Sequence, residues 1–465
     1  MFPTSIKRSV FLLALATSSL ACDKLDLAPS DSIDPSKAFR NINDLNMGLL
    51  GAYAVLDYTL ISSNATVSDE VMLPTENNVS NTDAHRWLYN AGSGSVTSAW
   101  GQYYTTIDRV NRVLAALDQV TVPAAEQALK DRYQGELLAL RAYSHFELLR
   151  AYAASYEPEA LGVPYMKVSV IGTPGRDTFK AVIDNAKADL IAAKALIPAS
   201  FNDKTRITKT GVAAIQARVA LYEKNWPDAI TYSTEVIQAT PLATRAQFPG
   251  IWTDANEAEV IWKLKRVVGD ARIGDFFFRQ NGSIVLFAPA FKLINSFDAD
   301  NDVRYAPYIK SDANRGAGKS TYLVNKYIGG TASAPGLADI KLFRTGEMYL
   351  IRAEARAETA GGLAEGANDL NALRTARITG YTPMAFASKE ALISAVYTER
   401  FKELAFEGHR FFDLKRRNLP VERLPADAIN TSGAVRLEPT QAQYSFPIPA
   451  LEISVNKNII QNPKY

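Results

Sequence analysis

Helical periodicity governs most of this chain. Tyr133, Leu137, Leu140, Ser144 and Leu148 fall on one face of a long predicted helix. Phe179, Val182, Ile183, Ala186, Leu190 and Ala193 define another, which Pro198 stops. Residues 210–224 and 227–239 read as a helix pair around Asn225-Trp226, and 344–359 and 363–377 as a second pair around Gly361-Gly362. A final long helix is predicted over 388–407, closed by Gly408, the residue type that most readily takes the left-handed cap conformation.

Small residues recur where paired helices must approach closely: Ala213, Ala217 and Ala220 in one pair, Ala353, Ala355 and Ala357 in the other. Tyr222 sits near the end of one helix, and the next restarts with Pro227-Asp228-Ala229. These are features of tetratricopeptide units. Their spacing is too irregular for a tandem array, so the expected fold is mainly α: tetratricopeptide-like helix hairpins packed side by side, with long loops and a few short strands. The long interruptions are 62–98, 156–176 and 241–342. The last holds two β-like runs, Val260-Ile261-Trp262-Lys263-Leu264 and Tyr322-Leu323-Val324. Loops of that length in a compact body generally carry function.

Composition narrows the classes of function. With 47% apolar residues in 465, the chain has ample material for a core. Lys+Arg is 51 against 49 Asp+Glu, which leaves no basic stripe for a phosphate backbone. One cysteine excludes an intrachain disulfide and any cysteine-rich zinc site. That cysteine, Cys22, comes after a leader with a basic start (Lys7-Arg8), an apolar run over 10–16 and small residues up to Ala21. The run is far short of the roughly 20 residues that a spanning helix needs. Residues 1–21 therefore read as a lipoprotein signal peptide, with Cys22 as the lipidated new N-terminus. The alternative is an ordinary secretory signal that leaves Cys22 a free thiol. Lys7 and Arg8 account for the whole charge excess, so the mature chain is neutral and its expected hold on a membrane is lipid, not charge. Residues 22–36 form a polar tether. The body divides into 37–240 and 241–465, the latter beginning with the long insertion 241–342.

Several motifs invite chemistry. The run Ala313-Asn314-Arg315-Gly316-Ala317-Gly318-Lys319-Ser320 fits a loose phosphate-loop pattern, but the stretch 321–328 is β-like and offers no helix N-terminus to an anion. A polar surface loop is expected there. Glu399, Glu403 and Glu407 share one helix face. A glycosidase needs carboxylates on opposite walls of a cleft, so the expectation is an ion-paired scaffold face, with Arg400, Lys402, Arg410 and Lys415 as partners. His145 is expected to be a hydrogen-bonded packing residue and His409 to bond the last helix carbonyls. No metal, cofactor or catalytic residue is assigned, and no G-x-S-x-G elbow occurs. Trp100, Trp226, Trp252 and Trp262 are expected to be structural. Trp87 is different, because Asn77, Asn78, Asp83, Arg86 and Tyr89 surround it in a polar loop. A ring beside amide, carboxylate and guanidinium groups suits a sugar, whose CH face stacks while its hydroxyls hydrogen-bond. Trp87 either contacts such a ligand or packs its own loop.

Longer stretches carry a family resemblance. They are Arg109-Val110-Asn111-Arg112-Val113-Leu114, residues 136–152 (ELLALRAYSHFELLRAY), residues 399–415 (ERFKELAFEGHRFFDLK), and the close, Tyr444-Ser445-Phe446-Pro447-Ile448-Pro449 with Gln461-Asn462-Pro463-Lys464-Tyr465. Together with Ala21-Cys22 they resemble the SusD/RagB outer-membrane lipoproteins of Bacteroidota over essentially the whole mature chain. The resemblance implies a non-catalytic, lipid-anchored, surface-exposed protein that binds an oligosaccharide or another nutrient, such as a peptide. It also implies a partner, a SusC-like TonB-dependent β-barrel transporter, over which the lipoprotein sits as a lid. Cargo is expected on the loops, because packed hairpin faces have committed their aromatics to the core. To the first-loop residues are added Phe277, Arg279, Asn281 and Tyr322 from the insertion, although 276–278 reads equally well as a buried strand. Two rival readings are a helical-repeat adaptor that binds only proteins and a lipid-anchored glycosidase.

Overall fold

Side-chain oxygens set where the helices begin. Asn41, Thr178, Thr208, Asn225 and Ser388 each accept a backbone N–H from the first turn of the helix they precede, which satisfies donors that a helix start leaves unpaired. The structure, a computed structural model, describes residues 38–279, 282–331 and 333–465. The leader, Cys22, its tether and Asn281 lie outside the described residues.

The longer helices of the first half are α1 (Ile42–Tyr53), α2 (Thr59–Val67), α3 (Gly94–Leu117), α4 (Ala124–Tyr152), α5 (Phe179–Leu196), α6 (Lys209–Glu223) and α7 (Trp226–Ala239). Those of the second half are α8 (Thr345–Glu358), α9 (Leu363–Arg377), α10 (Lys389–Glu403) and α11 (Arg410–Arg416). Both expected hairpins, α6–α7 and α8–α9, form within a residue of the expected bounds. Each helix from α3 to α7 packs on the next, and α7 then packs on α8, so the scaffold resumes after the chain between them has looped out. The alanines expected at helix contacts are all buried. Gly135 shows how close the approach is: a Cβ there would meet Ile197 Cγ1 at 2.8 Å and the Ala193 carbonyl oxygen at 3.0 Å. Apolar side chains from α1 through to the C-terminal segment share one core, and a smaller cluster centred on Leu350, Leu370 and Leu392 fills the space between α8, α9 and α10.

The expectation for 388–407 needs correction. Helix α10 ends at Glu403, and 404–408 form a turn with Phe406 at φ 65° and Gly408 at φ 80°. Distant groups take the polar atoms that another helical turn would use. Phe406 N–H donates to Glu70 Oε2 (3.1 Å), Lys326 Nζ to the Ala405 carbonyl (2.7 Å) and Tyr327 OH to the Phe406 carbonyl (3.0 Å). The turn lies against α2, since a Cβ on Gly408 would stand 3.2 Å from Ile61 Cα.

Strands occur as antiparallel pairs. Strand β1 (Val71–Met72) pairs with β5 (Ala288–Pro289), β2 (Val260–Leu264) with β8 (Ile340–Arg344), and β3 (Phe278–Arg279) with β4 (Ile284–Val285). Strand β6 (Ile309–Ser311) pairs with β7 (Tyr322–Val324), and β9 (Val421–Glu422) with β10 (Arg436–Leu437). Both β-like runs of the insertion are thus strands. The β2–β8 pair ties the start of the long insertion to its end, while β1–β5 ties the first-half loop to the insertion. The glycine-lysine run 313–320 is the tip of the β6–β7 hairpin, and the chain leaves it as a strand. No helix among the described residues is long and apolar enough to cross a membrane.

Candidate functional site

A buried ion cluster pins the insertion to the scaffold. Glu399 and Glu403 project from α10, with Glu407 just beyond it. Arg304 meets Glu399 at 2.6 Å and Glu403 at 3.0 Å, and Arg344 meets Glu259, Glu403 and Glu407 at 2.6, 2.9 and 2.7 Å. Arg377 reaches Glu259 (2.7 Å) and Glu403 (3.0 Å), and Lys326 reaches Glu407 (2.6 Å). Burial disfavours the Glu403 carboxylate, but Arg377, Arg344 and Arg304 outweigh it and hold this group well below the usual carboxylate range. The ion-paired character expected of these glutamates is present, but the expected partners are wrong. Arg400 pairs with Asp413 (2.8 Å), Lys402 with Asp302 (3.1 Å) and Arg410 with Asp69 (2.7 Å), and Lys415 donates to the Ala153 carbonyl (2.7 Å). Each residue step turns a helix by about 100°, so Arg400 and Lys402 leave α10 on flanks other than the glutamate face.

The histidines are also internal. His145 donates from Nδ1 to the Arg141 carbonyl (2.8 Å), accepts the Met166 N–H at Nε2 (2.9 Å) and stacks on Tyr165 at 3.8 Å. Burial pulls its pKa down to about 3. His409 does not cap α10. It precedes α11 and faces Glu347 at 4.0 Å. Among the described residues no group of three or more His, Cys, Asp or Glu is placed to hold a metal ion.

On the scaffold rests a loop face drawn from both halves of the chain. Arg315, at the hairpin tip, forks onto Glu76 of the first long loop at 2.8 and 2.9 Å. Glu76 also accepts the backbone N–H groups of Val285 (3.0 Å) and Ser320 (3.1 Å). Burial raises its pKa, but Arg315 and those two donors more than offset this and hold it below the ordinary value. Thr75 donates to the Gly318 carbonyl (2.9 Å). Segments about 240 residues apart in sequence are thereby fixed edge to edge.

The expected ligand residues divide on this face. Asn78, Asp83 and Arg279 are exposed, and Tyr322 is half-buried. Arg86 is half-buried and donates to the Asn430 carbonyl (3.1 Å) and side chain (2.9 Å). The others are interior. Asn77 staples its own loop to the insertion, donating to the Leu286 carbonyl (2.8 Å) and the Ser80 carbonyl (3.0 Å). Tyr89 bonds the Gln443 carbonyl and meets Phe446 edge-on at 6.0 Å. Phe277 is fully buried and stacks on Tyr327 at 5.8 Å. Trp87 is 7% exposed; Nε1 donates to the Val67 carbonyl (2.9 Å) and the Arg423 guanidinium covers the ring at 4.0 Å. Of the two roles open to Trp87, the buried ring with its occupied face favours packing of its own loop over ligand contact. Trp100, Trp252 and Trp262 are buried as expected, and Trp226 is half-buried at the start of α7.

Three half-buried rings of the insertion stand out. Tyr322, on β7, meets Phe291 edge-on at 5.9 Å, and Tyr305 lies beside it, its phenol pKa raised by burial and then by Tyr322. Sequence reasoning named Tyr322 but missed Phe291 and Tyr305, which sit in single helical turns (Phe291–Ile294 and Tyr305–Tyr308) without a periodic signal. Two concavities are lined in part by sequence neighbours of these rings. A cleft of about 600 Å³ is lined by Arg245, Asp300, Asn325 and Pro307, but its one ring, Trp252, is buried with Lys326 Nζ 4.1 Å over its face. A groove of about 400 Å³ has Lys292, next in sequence to Phe291, and Ser296 in its lining.

Comparison with known proteins agrees with this architecture. A family model described as the SusD family matches residues 297–465, and one described as "Starch-binding associating with outer membrane" matches 25–221. The SusD-like proteins P25 and P2 of Formosa agariphila are 20% and 22% identical to this chain, over 98% and 99% of it and 98% and 100% of their own lengths. A SusD superfamily protein from Bacteroides thetaiotaomicron superposes with a TM-score of 0.79 at 20% identity, covering 91% of this chain and 100% of that one. A putative sugar binding protein from Bacteroides vulgatus gives 0.77 at 23%, covering 92% and 99%. At such identities the structural likeness is one of fold, but both halves match family models in order and the curated relatives align from end to end. The chain belongs to the SusD/RagB family.

Proposed function

We propose that this protein binds an oligosaccharide at the outer membrane and passes it to a SusC-like, TonB-dependent barrel, without acting on it chemically. The observation that carries the reading is the half-open group Phe291, Tyr305 and Tyr322, held on a face that β1–β5 and Glu76–Arg315 assemble from both halves. Half-exposed rings suit a pyranose, and the exposed Asn78 and Asp83 of the first long loop and Arg279 of the insertion are candidate hydroxyl partners. The outer-membrane starch-binding description of the family model that matches the first half supports the same reading. So does the nature of the buried carboxylates: Glu399, Glu403 and Glu407 are engaged by arginines and face no cleft.

Calorimetric titration against a panel of oligosaccharides tests this. Tyr322→Ala should weaken the best binder by about 1–2 kcal/mol, the worth of one stacked ring, with unchanged thermal unfolding. Unaltered affinity in Tyr322→Ala and in Tyr305→Ala would remove the aromatic patch as the site. Products appearing on long incubation would overturn the non-catalytic part. Co-purification of the transporter in mild detergent tests the partner, and repeated recovery of this chain alone would count against it.

A further inference from the structure

The groove that starts at Lys292 has a sign of charge, and this bears on the cargo. Tyr397 and Phe401, one helical turn apart on α10, line the groove with Leu414 and Pro420, but both rings are buried, Phe401 under Arg410 and Tyr397 under Arg416 and Arg417. Ser394 and Thr398, also one turn apart, put hydroxyls on its wall. At one end stand Lys292 and Arg410. Both bind the same carboxylate, Asp69: Lys292 at 2.7 Å, Arg410 through two nitrogens at 2.7 and 2.8 Å. The order of these groups matters. The Asp69 side chain is 0% exposed, whereas those of Lys292 and Arg410 are 28% and 13% exposed, so the cations face the groove with the anion behind them. Two positive charges against one leave an excess of one. Among the described residues that line the groove, the single carboxylate is Glu422, and Arg436 engages it. Arg410 is further fixed by lying 4.4 Å over the Phe401 ring.

We propose that this groove takes an anionic sugar unit, one bearing a carboxylate or a sulfate, from an oligosaccharide whose neighbouring rings lie on the adjacent Phe291 and Tyr322 patch. The inference rests on the saccharide reading above and adds the charge class of the cargo. Hydroxyls along one wall and a cationic end with its counter-ion buried are what such a unit needs. The hydroxyls pair, and the anion meets Lys292 Nζ and the Arg410 edge, with the Asp69 carboxylate they share buried behind them.

The test titrates the full chain with three oligosaccharides matched in size and linkage: uronate-bearing, sulfated and neutral. At least one charged ligand should bind about tenfold more tightly than the neutral one, with a preference that shrinks as salt rises. A preference for uronate or for sulfate identifies the source of the anion, and either supports the groove. Thr398 is exposed and its hydroxyl only bonds back to the Ser394 carbonyl, so Thr398→Glu should leave thermal unfolding unchanged. It should nevertheless abolish the charged preference. Lys292→Gln should do the same, with Lys292→Arg restoring the preference. Equal affinity for charged and neutral ligands, or a preference that survives Thr398→Glu, would overturn the groove and leave the saccharide reading standing. Binding of no saccharide at all would defeat both.

Discussion

Replacing Trp87 separates a packing role from a ligand role. Trp87→Ala empties a volume that is largely closed, and truncating a buried Trp costs about 3–5 kcal/mol. The Nε1 bond to the Val67 carbonyl is lost as well, for about 1 kcal/mol, and Arg423 loses the ring 4.0 Å below it, for about 1 kcal/mol more. These losses overlap, and the total, about 4–6 kcal/mol, is a large part of the roughly 5–15 kcal/mol that typically holds a domain together. Backbone conformation supplies an internal control. Trp87 sits at φ 56°, where glycine is at ease and alanine is not. Trp87→Gly should therefore be no worse than Trp87→Ala, the reverse of their order in ordinary backbone. Trp87→Phe keeps a ring under Arg423 and should cost only about 1–2 kcal/mol. Urea unfolding monitored by fluorescence and circular dichroism measures all three, and calorimetry with the best saccharide tracks affinity. Unchanged stability in Trp87→Ala, together with lost affinity, would refute the argument and make the ring a platform.

Other perturbations test other parts of the structure. Glu403→Gln removes the carboxylate shared by Arg304, Arg344 and Arg377 and should cost about 3–5 kcal/mol in denaturant unfolding; a loss below about 1 kcal/mol would mean the cluster is already balanced without it. Glu70 is raised from 4.5 to about 8, first by burial and then by Asp69, against the pull of Phe406 N–H, Lys326 and Arg410. Its contribution is therefore full below pH 4.5 and lost as pH rises through 8, on the order of 3–5 kcal/mol. Glu70→Gln should flatten the fall in stability over that window, and an identical pH profile for the variant would show that Glu70 is not protonated in the fold. Asp69 and Glu354, both held at about 2, act in the opposite sense, and their stabilisation is lost as pH falls toward 2. Cys22→Ser should move the protein from the membrane fraction to the soluble one, and full membrane retention without the transporter would refute lipid anchoring.

How far the sequence could be read depended on where the partners of each segment lie. The α6–α7 hairpin was legible because its instructions are local: Asn225 caps, Pro227 sits in the first turn, and the buried alanines recur within the same helices. The end of α10 was not. Nothing near 404–408 signals a stop before Gly408, since the groups that unwind it, Glu70, Lys326 and Tyr327, lie at least 79 residues away. The same holds for the glutamates of α10. Their identity as paired charges could be read from spacing, but their partners come from 304, 344 and 377, and only the folded chain brings these together.

Trp87 shows the limit for a site. Its neighbours, Asn78, Asp83 and Arg86, have the composition of a sugar-binding loop, and that was all the sequence could offer. What decides the matter is a carbonyl at Val67 and a guanidinium at Arg423, the first about 20 residues before the ring and the second more than 300 beyond it. A polar loop with one large ring is equally the recipe for a loop that must supply its own small core, because an interruption as long as 62–98 has backbone groups to satisfy and few helical faces to lean on. Composition cannot tell these apart, since both need a ring and amide partners. Accessibility can, and it moves the aromatic surface to Phe291, Tyr305 and Tyr322. These are half-buried rings in one-turn helices and a hairpin strand, whereas Phe277 and Tyr308, on equally short elements, are fully buried. For a chain of this architecture, the rings to examine for cargo are the half-exposed ones of the insertion and not the one in the most polar loop.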